Sequence, residues 1–266
     1  MSTTTIGCIG CGSMGGALLR GLARAGRHTL LGYDRFPAPL EALKAVGVAA
    51  EPDAAGLTKK SGIIILAVKP DQVPGAVESI LPALTPDKIL ISAAAAVTVP
   101  ELTGMVKGAC PVVRIMPNTT VMVGAGIFAI CHDDPRLTEE NKQTVTRLFA
   151  EVGQTITLPE HKINQFTAVF SCGPGYIFLF MEAIREAAVT LGFSWAEAAE
   201  LTAAMVYGAG KLALESGQHF ASLREQVCSP AGITIAAINH LERSAVRGHI
   251  IDAILTAAAR AREMEK

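Results

Sequence analysis

The sequence predicts an α/β fold, a doubly wound and mainly parallel sheet over residues 1–160, followed by an all-helical half over residues 161–266. Three observations predict it. Short apolar, β-rich runs alternate with helical stretches through the first half. A glycine turn of the form GxGxxG joins the first run to the first helix, and from His161 onward the β pattern gives way to helical periodicity. The runs are mostly continuously apolar, which marks strands buried on both faces, as a parallel sheet covered by helices requires.

Taken in order, residues 5–9, 29–33, 63–67, 89–92, 112–116, 126–130 and 155–158 are the predicted strands. Between them, helices are predicted over 14–25, which closes at Gly26, over 71–81 behind Pro70, and over 138–151, which ends near Gly153. In the second half a helix starts near Pro174 and stops at Gly192. Ser194 with Glu197, and Ser222 with Glu225, have the capping-box spacing, and each pair predicts a helix start. Residues 195–215 are rich in Ala and Gly, and a last predicted helix covers 234–243. A helical half that is apolar on more than one side predicts a core completed by a second subunit.

Composition narrows the function. Half of the residues are hydrophobic and 18% are charged, which excludes a disordered chain. The purest apolar runs, residues 63–68 and 89–91, stop far short of the ~20 residues of a membrane span. Lys and Arg total 23 against 24 Asp and Glu, so no basic surface for nucleic acid is expected. Neither nucleic acid nor membrane is therefore expected as a partner. Met1 to Thr4 carries no basic residue before the first strand, leaving no room for a secretory signal. The six cysteines are scattered, which fits reduced thiols in a cytoplasmic protein. Cys8 and Cys11 form an isolated CxxC with no second pair at ligand spacing, so no metal site is expected.

Gly10, Gly12 and Gly15 follow the first strand directly, and the chain enters a helix at Ser13 and Met14. The first glycine permits a tight turn, the second lets a pyrophosphate approach the backbone, and the third lets helix and strand pack closely. The phosphates then face the helix N-terminus. A second strand ends near Asp34, about the offset expected for the carboxylate that binds the ribose of a dinucleotide. Asp34 favours NADH because it would repel a 2′-phosphate, whereas Arg35 could pair with that phosphate and favours NADPH. The preference between the two cofactors stays open.

Further segments matter together: Ala67, Val68, Lys69 and Pro70 (AVKP); SAAAAV from Ser92; RIMPN from Arg114; SCGPGY from Ser171; and SPAGIT from Ser229 to Thr234. With the glycine loop, this series resembles the pyrroline-5-carboxylate reductase family in order and spacing along almost the whole chain. The resemblance implies a Rossmann domain in residues 1–160 and a helical dimerisation domain in residues 161–266, with homodimers and, in some members, decamers. It implies hydride transfer from NADPH or NADH to the cyclic imine 1-pyrroline-5-carboxylate, giving L-proline. It implies that the Thr234 hydroxyl meets the ring nitrogen, with Ser229, Pro230, Ala231 and Gly232 in the substrate loop. Free N–H groups of the helix that follows could hold the substrate carboxylate. Lys69 and its neighbours Ala67, Val68 and Pro70 lie where the cofactor would be touched, and Met116, Pro117 and Asn118 would border the nicotinamide.

The chain also departs from the family pattern. Ala96 and Ala231 replace glycines, Ile233 replaces Thr or Ala, Phe220 stands where Pro is common, and Phe170–Tyr176 reads FSCGPGY where SGSGPAY is usual. A reductase of a related cyclic imine acid is therefore one alternative. A β-hydroxyacid dehydrogenase using Lys162 is a second, and a binding protein without catalysis is a third. Blander readings stand beside each residue: Thr234 as a plain helix cap, Lys69 as a solvated loop residue, and Arg114 as a structural ion-pair partner. His161, His219, His240 and His249 lack metal spacing and read as surface or capping residues.

Overall fold

The computed structural model describes residues 4–264. In chain order the elements are β1 (Thr5–Ile9), α1 (Ser13–Ala25), β2 (Thr29–Tyr33), α2 (Pro37–Lys44), β3 (Ala49–Ala50), α3 (Ala54–Lys60), β4 (Ile63–Leu66), α4 (Val73–Ile80), β5 (Ile89–Ser92), α5 (Val99–Met105), β6 (Val112–Met116), β7 (Gly126–Cys131), α6 (Glu139–Ala150) and β8 (Gly153–Thr157). Helices then follow: α7 (Ile163–Phe166), α8 (Gly173–Thr190), α9 (Trp195–Ser216), α10 (Phe220–Gln226), α11 (Ile233–Arg243) and α12 (Val246–Glu263).

The strands form one eight-stranded sheet in the order β3-β2-β1-β4-β5-β6-β7-β8, parallel throughout except between β6 and β7. Side chains along β4 show why its continuous apolar run is required. Ile63 and Ile65 enter the core on the α1 face, with Leu18, Leu22 and the stacked pair Phe128 and Phe149. Ile64 and Leu66 enter the core on the other face, with Leu57, Val77, Leu102 and Phe166. Alternation with period two on a strand buried on both faces leaves no position for a polar residue.

The structure adds elements that the sequence reading lacked. The two-residue β3 pairs with β2 alone, and α2, α3 and α5 are one- or two-turn helices too short to display a full apolar period. The helix expected over 71–81 is divided: Pro70–Gln72 is a 3₁₀ turn, α4 proper starts at Val73, and Leu81–Ala83 is again 3₁₀. Pro70, Pro74 and Pro82 explain the division, since proline suits a first helical turn and disfavours helix in the residue before it. Ser222 does not start a helix. It lies inside α10, whose cap is His219, with Nδ1 accepting from the Ala221 N–H at 3.2 Å. Ser194 and Glu197 do form the expected capping box on α9.

Contacts divide the chain into two compact units, one running through Cys172 and including the chain from Ala258 onward, the other Gly173–Ala257. The packing boundary lies beyond residue 160 because Ile163 and Phe166 are buried against the sheet. Among the described residues one helical run, Glu160–Thr190, is long and apolar enough, by length and composition, to cross a membrane. Residues 163–181 hold no charged residue, but Asn164, Gln165, Thr167 and Ser171 keep the stretch from reading as an unbroken apolar run. In the second unit little is buried within the single chain: α8 and α10 to α12 have no buried residue, and α9 has only Ala198 and Thr202. Leu191 is 80% exposed and Phe220 76%.

Candidate cofactor and substrate sites

The strand order reverses between β1 and β4, and ligands of such sheets bind beyond the carboxyl ends of the strands at that point. The glycine turn leaves β1 there, and its three glycines serve three purposes. Gly10 has φ +90°, and a Cβ on it would lie 2.7 Å from the Ala67 carbonyl oxygen. A Cβ on Gly15 would lie 1.8 Å from the Gly10 carbonyl oxygen, so α1 can approach β1 only without one. Gly12 faces open space, which is the room a pyrophosphate needs. Gly12 also occupies the N-cap of α1 with no side-chain cap, and the first turn carries no acidic residue. The leading N–H groups, at Ser13, Met14 and Gly15, therefore remain for an anion. The residues present fit a dinucleotide.

Asp34 follows β2, beside the turn. The pairing of Ile9 with Tyr33 brings it there, and its Oδ2 accepts from the Cys11 N–H at 2.6 Å while Oδ1 accepts from the Phe36 N–H at 2.9 Å. The carboxylate thus shapes the glycine turn. Arg35 is exposed, with its guanidinium 6.0 Å from the centre of the Phe36 ring. Cys8, on β1, and Cys11, in the turn, are buried free thiols. Hydrogen bonding between Cys8 and Cys11, reinforced by burial, pushes the Cys8 thiol well up.

Ala67, Val68, Lys69 and Pro70 leave the end of β4 beside the glycine turn, with the Ala67 N–H donating to the Ile9 carbonyl at 2.9 Å. Lys69 is exposed. At the end of β6, Met116, Pro117 and Asn118 are buried. The Asn118 amide is heavily engaged: Oδ1 accepts from Thr120 Oγ1 at 2.7 Å and from the Ile127 N–H at 3.2 Å, and Nδ2 donates to the Phe170 carbonyl at 3.4 Å. Arg114, fully buried on β6, pairs with Glu160, which agrees with its reading as a structural partner. No local pattern marks Glu160 as the partner of Arg114 or Ser171 as the partner of Pro117, since both contacts span long stretches of chain.

In the second unit, Ser229, Pro230 and Ala231 are exposed, and Gly232 is the N-cap of α11 without a side-chain cap. A Cβ on Gly232 would lie 2.1 Å from Ser229 Oγ, which can turn away, and 3.1 Å from the Ser229 carbonyl oxygen, so the loop folds closely back on itself there. Ala231 adopts φ +57°, a left-handed conformation. Thr234 is the second residue of α11, not its cap, and its hydroxyl makes no hydrogen bond among the described residues. The reading of Thr234 as a plain cap is thereby set aside. The opening turn of α11 has no acidic residue, so its leading N–H groups form a second place suited to an anion.

A strand, GxGxxG turn and helix at the switch point of a doubly wound sheet define the first unit as the nucleotide-binding domain of an NAD(P)-dependent oxidoreductase. A family model described as pyrroline-5-carboxylate reductase dimerisation matches residues 160–264, and one described as NADP oxidoreductase, coenzyme F420-dependent, matches residues 5–96. A pyrroline-5-carboxylate reductase of Methanosarcina acetivorans is 33% identical over 270 residues, covering 100% of both chains. The crystal structure of the Plasmodium falciparum pyrroline carboxylate reductase, with NADP bound, matches with TM-score 0.91 at 28% identity, over 100% of both chains. That of the Coxiella burnetii pyrroline-5-carboxylate reductase matches with TM-score 0.88 at 33% identity, again over 100% of both. The chain belongs to the pyrroline-5-carboxylate reductase family.

Proposed function

We propose that this protein reduces 1-pyrroline-5-carboxylate to L-proline at the expense of NADH or NADPH, the last step of proline biosynthesis. The observation that carries the reading is the presence, in a chain of this family, of two uncapped helix starts free of acidic residues, at Gly12 and at Gly232. One suits a pyrophosphate and the other a small carboxylate. When bound, the reduced nicotinamide supplies a hydride to the imine carbon, and the protein supplies orientation.

The roles follow from the chemistry. N–H groups from Gly12 to Gly15 hold the pyrophosphate, Asp34 and Arg35 meet the adenosine ribose, and residues 67–70 with 116–118 border the rest of the cofactor. Ser229 to Gly232 and the start of α11 hold the substrate carboxylate. The imine must be protonated to accept a hydride. The Thr234 oxygen accepts the N–H of that cation and so keeps the proton on the ring nitrogen. As the carbon–hydrogen bond forms, the C=N π pair becomes the lone pair of a neutral amine, which then takes a proton from water. Thr234→Val removes the acceptor without opening a cavity, and kcat is expected to fall by about 100-fold with thermal stability unchanged.

Oxidation of NADH and NADPH by the purified protein, with 1-pyrroline-5-carboxylate beside its six-membered-ring analogue, tests the reading. Preference for the larger ring would make this a reductase of a related imine acid, and turnover of neither would leave a binding protein. Oxidation of 3-hydroxy acids lost in Lys162→Ala would instead restore the β-hydroxyacid dehydrogenase reading. Asp34 supports NADH as the better donor, because its carboxylate, fastened by two backbone N–H groups, faces a 2′-phosphate with fixed negative charge. Self-association through the second unit as a homodimer completes the reading; it covers apolar side chains such as Leu191 and Phe220 and accounts for the apolar run from Glu160 to Thr190 without a membrane.

A further inference from the structure

The segment from Glu160 to Cys172 is fastened to the sheet at both ends. At its start, Glu160 pairs with Arg114 of β6, accepts from the Val99 N–H at 3.2 Å, and donates its own N–H to Asp133 Oδ2 at 2.8 Å. In its middle, Ile163 and Phe166 are buried in the core. At its end, residues Thr167–Ser171 form a π turn, with the Cys172 N–H reaching back to the Thr167 carbonyl at 2.9 Å.

Pro174 follows that turn. Proline has no N–H to give to the carbonyl four residues earlier, here that of Phe170. The Phe170 carbonyl is thereby left without its regular helical donor, beside the π turn of Thr167–Ser171. The Asn118 amide fills the place, donating to the Phe170 oxygen. The next residue adds a second tie in the opposite sense: the Ser171 hydroxyl donates to the Pro117 carbonyl. Two reciprocal bonds thus join consecutive residues of the 116–118 loop to consecutive residues of the π turn.

We propose that Ser171 is a positioning residue for the reaction. Its hydroxyl holds the Pro117 carbonyl and so sets the loop Met116–Pro117–Asn118 that the nicotinamide lies against. The inference rests on the reading of that loop as the nicotinamide border. Asn118 is the other half of the device: with Oδ1 and one Nδ2 hydrogen bonded to protein, its side chain braces the loop. Bonds of this kind act through geometry, and small displacements at a hydride-transfer site reduce rate steeply.

Ser171→Ala and Ser171→Thr decide the matter, the second keeping the hydroxyl. In Ser171→Ala, the Kd for NADH measured by cofactor fluorescence is expected to rise about fivefold and kcat to fall about tenfold, with the KM for the imine within about twofold. The primary isotope effect on kcat with NADH deuterated at both C4 positions is expected to rise, and Ser171→Thr to stay near wild type in all four quantities. An alanine variant with unchanged Kd and kcat overturns the proposal, as does equal loss in both variants accompanied by a lower melting temperature. The two readings fail separately. Wild-type protein inert toward 1-pyrroline-5-carboxylate would count against the proposed reaction, and the NADH Kd of Ser171→Ala would still support the tie if raised and overturn it if unchanged.

Discussion

Ala96 and Ala231 occupy left-handed backbone, at φ +59° and +57°. Both stand where the family usually has glycine, so the departures visible in the sequence fall on positions where a Cβ carries a steric cost of about 1–2 kcal/mol. Part of that cost is offset because alanine restricts the unfolded chain more than glycine does. Ala96→Gly is therefore expected to raise stability by about 0.5–1 kcal/mol, read as a higher urea midpoint at unchanged slope. The purposes of Gly10, Gly12 and Gly15 were legible in sequence because strand, turn and helix lie together along the chain. The bond from the Cys11 N–H to Asp34 was not, since it depends on the pairing of β1 with β2 that sets Tyr33 opposite Ile9. Ser171 was visible as part of the SCGPGY segment, but its bond to the Pro117 carbonyl was not, since the two lie 54 residues apart in the chain.

Helix starts show how local patterns succeed and fail at the level of elements. Ser194 with Glu197 caps α9, whereas Ser222 with Glu225 has the same spacing inside α10, because spacing of this kind also occurs one turn apart within a helix. Thr98 with Glu101 is a capping box that the sequence reading passed over, on a helix too short to show periodicity. The corner that leads from β7 to α6 is held differently. Burial of Asp134 acts to raise its pKa, but Arg136 and the N–H groups of Arg136 and Val112 more than offset it and hold the carboxyl below its usual value. A carboxylate with a lowered folded pKa contributes stability that is complete above its unfolded value, about 3.9, and is lost as pH falls through the folded value. Asp134→Asn is expected to cost about 1–3 kcal/mol at pH 7, and the gap from wild type should close in acid below about pH 4. Chemical denaturation at a series of pH values measures it, and a gap independent of pH would show that the charge contributes nothing.

Over the whole molecule, the sheet was the most legible part, because strands buried on both faces must be written as apolar runs. The second unit was legible only as helix. Its exposed apolar side chains acquire a purpose when a second copy covers them, and a single sequence cannot display the partner surface. Sedimentation at micromolar concentration is expected to give at least twice the 27.8 kDa of one chain. Leu214→Asp on α9, now 74% exposed, should shift the protein toward monomer, and wild-type unfolding should move to higher denaturant as protein concentration rises. A monomer at all concentrations would leave those faces unexplained.

The central claim is hydride transfer to a cyclic imine, and isotope tracing reads it directly. Turnover of 1-pyrroline-5-carboxylate with NADH deuterated at both C4 positions should yield proline carrying one deuterium at the δ-carbon, with one deuterium lost from each cofactor oxidised. Proline without deuterium, or cofactor oxidised with no proline formed, would contradict the account.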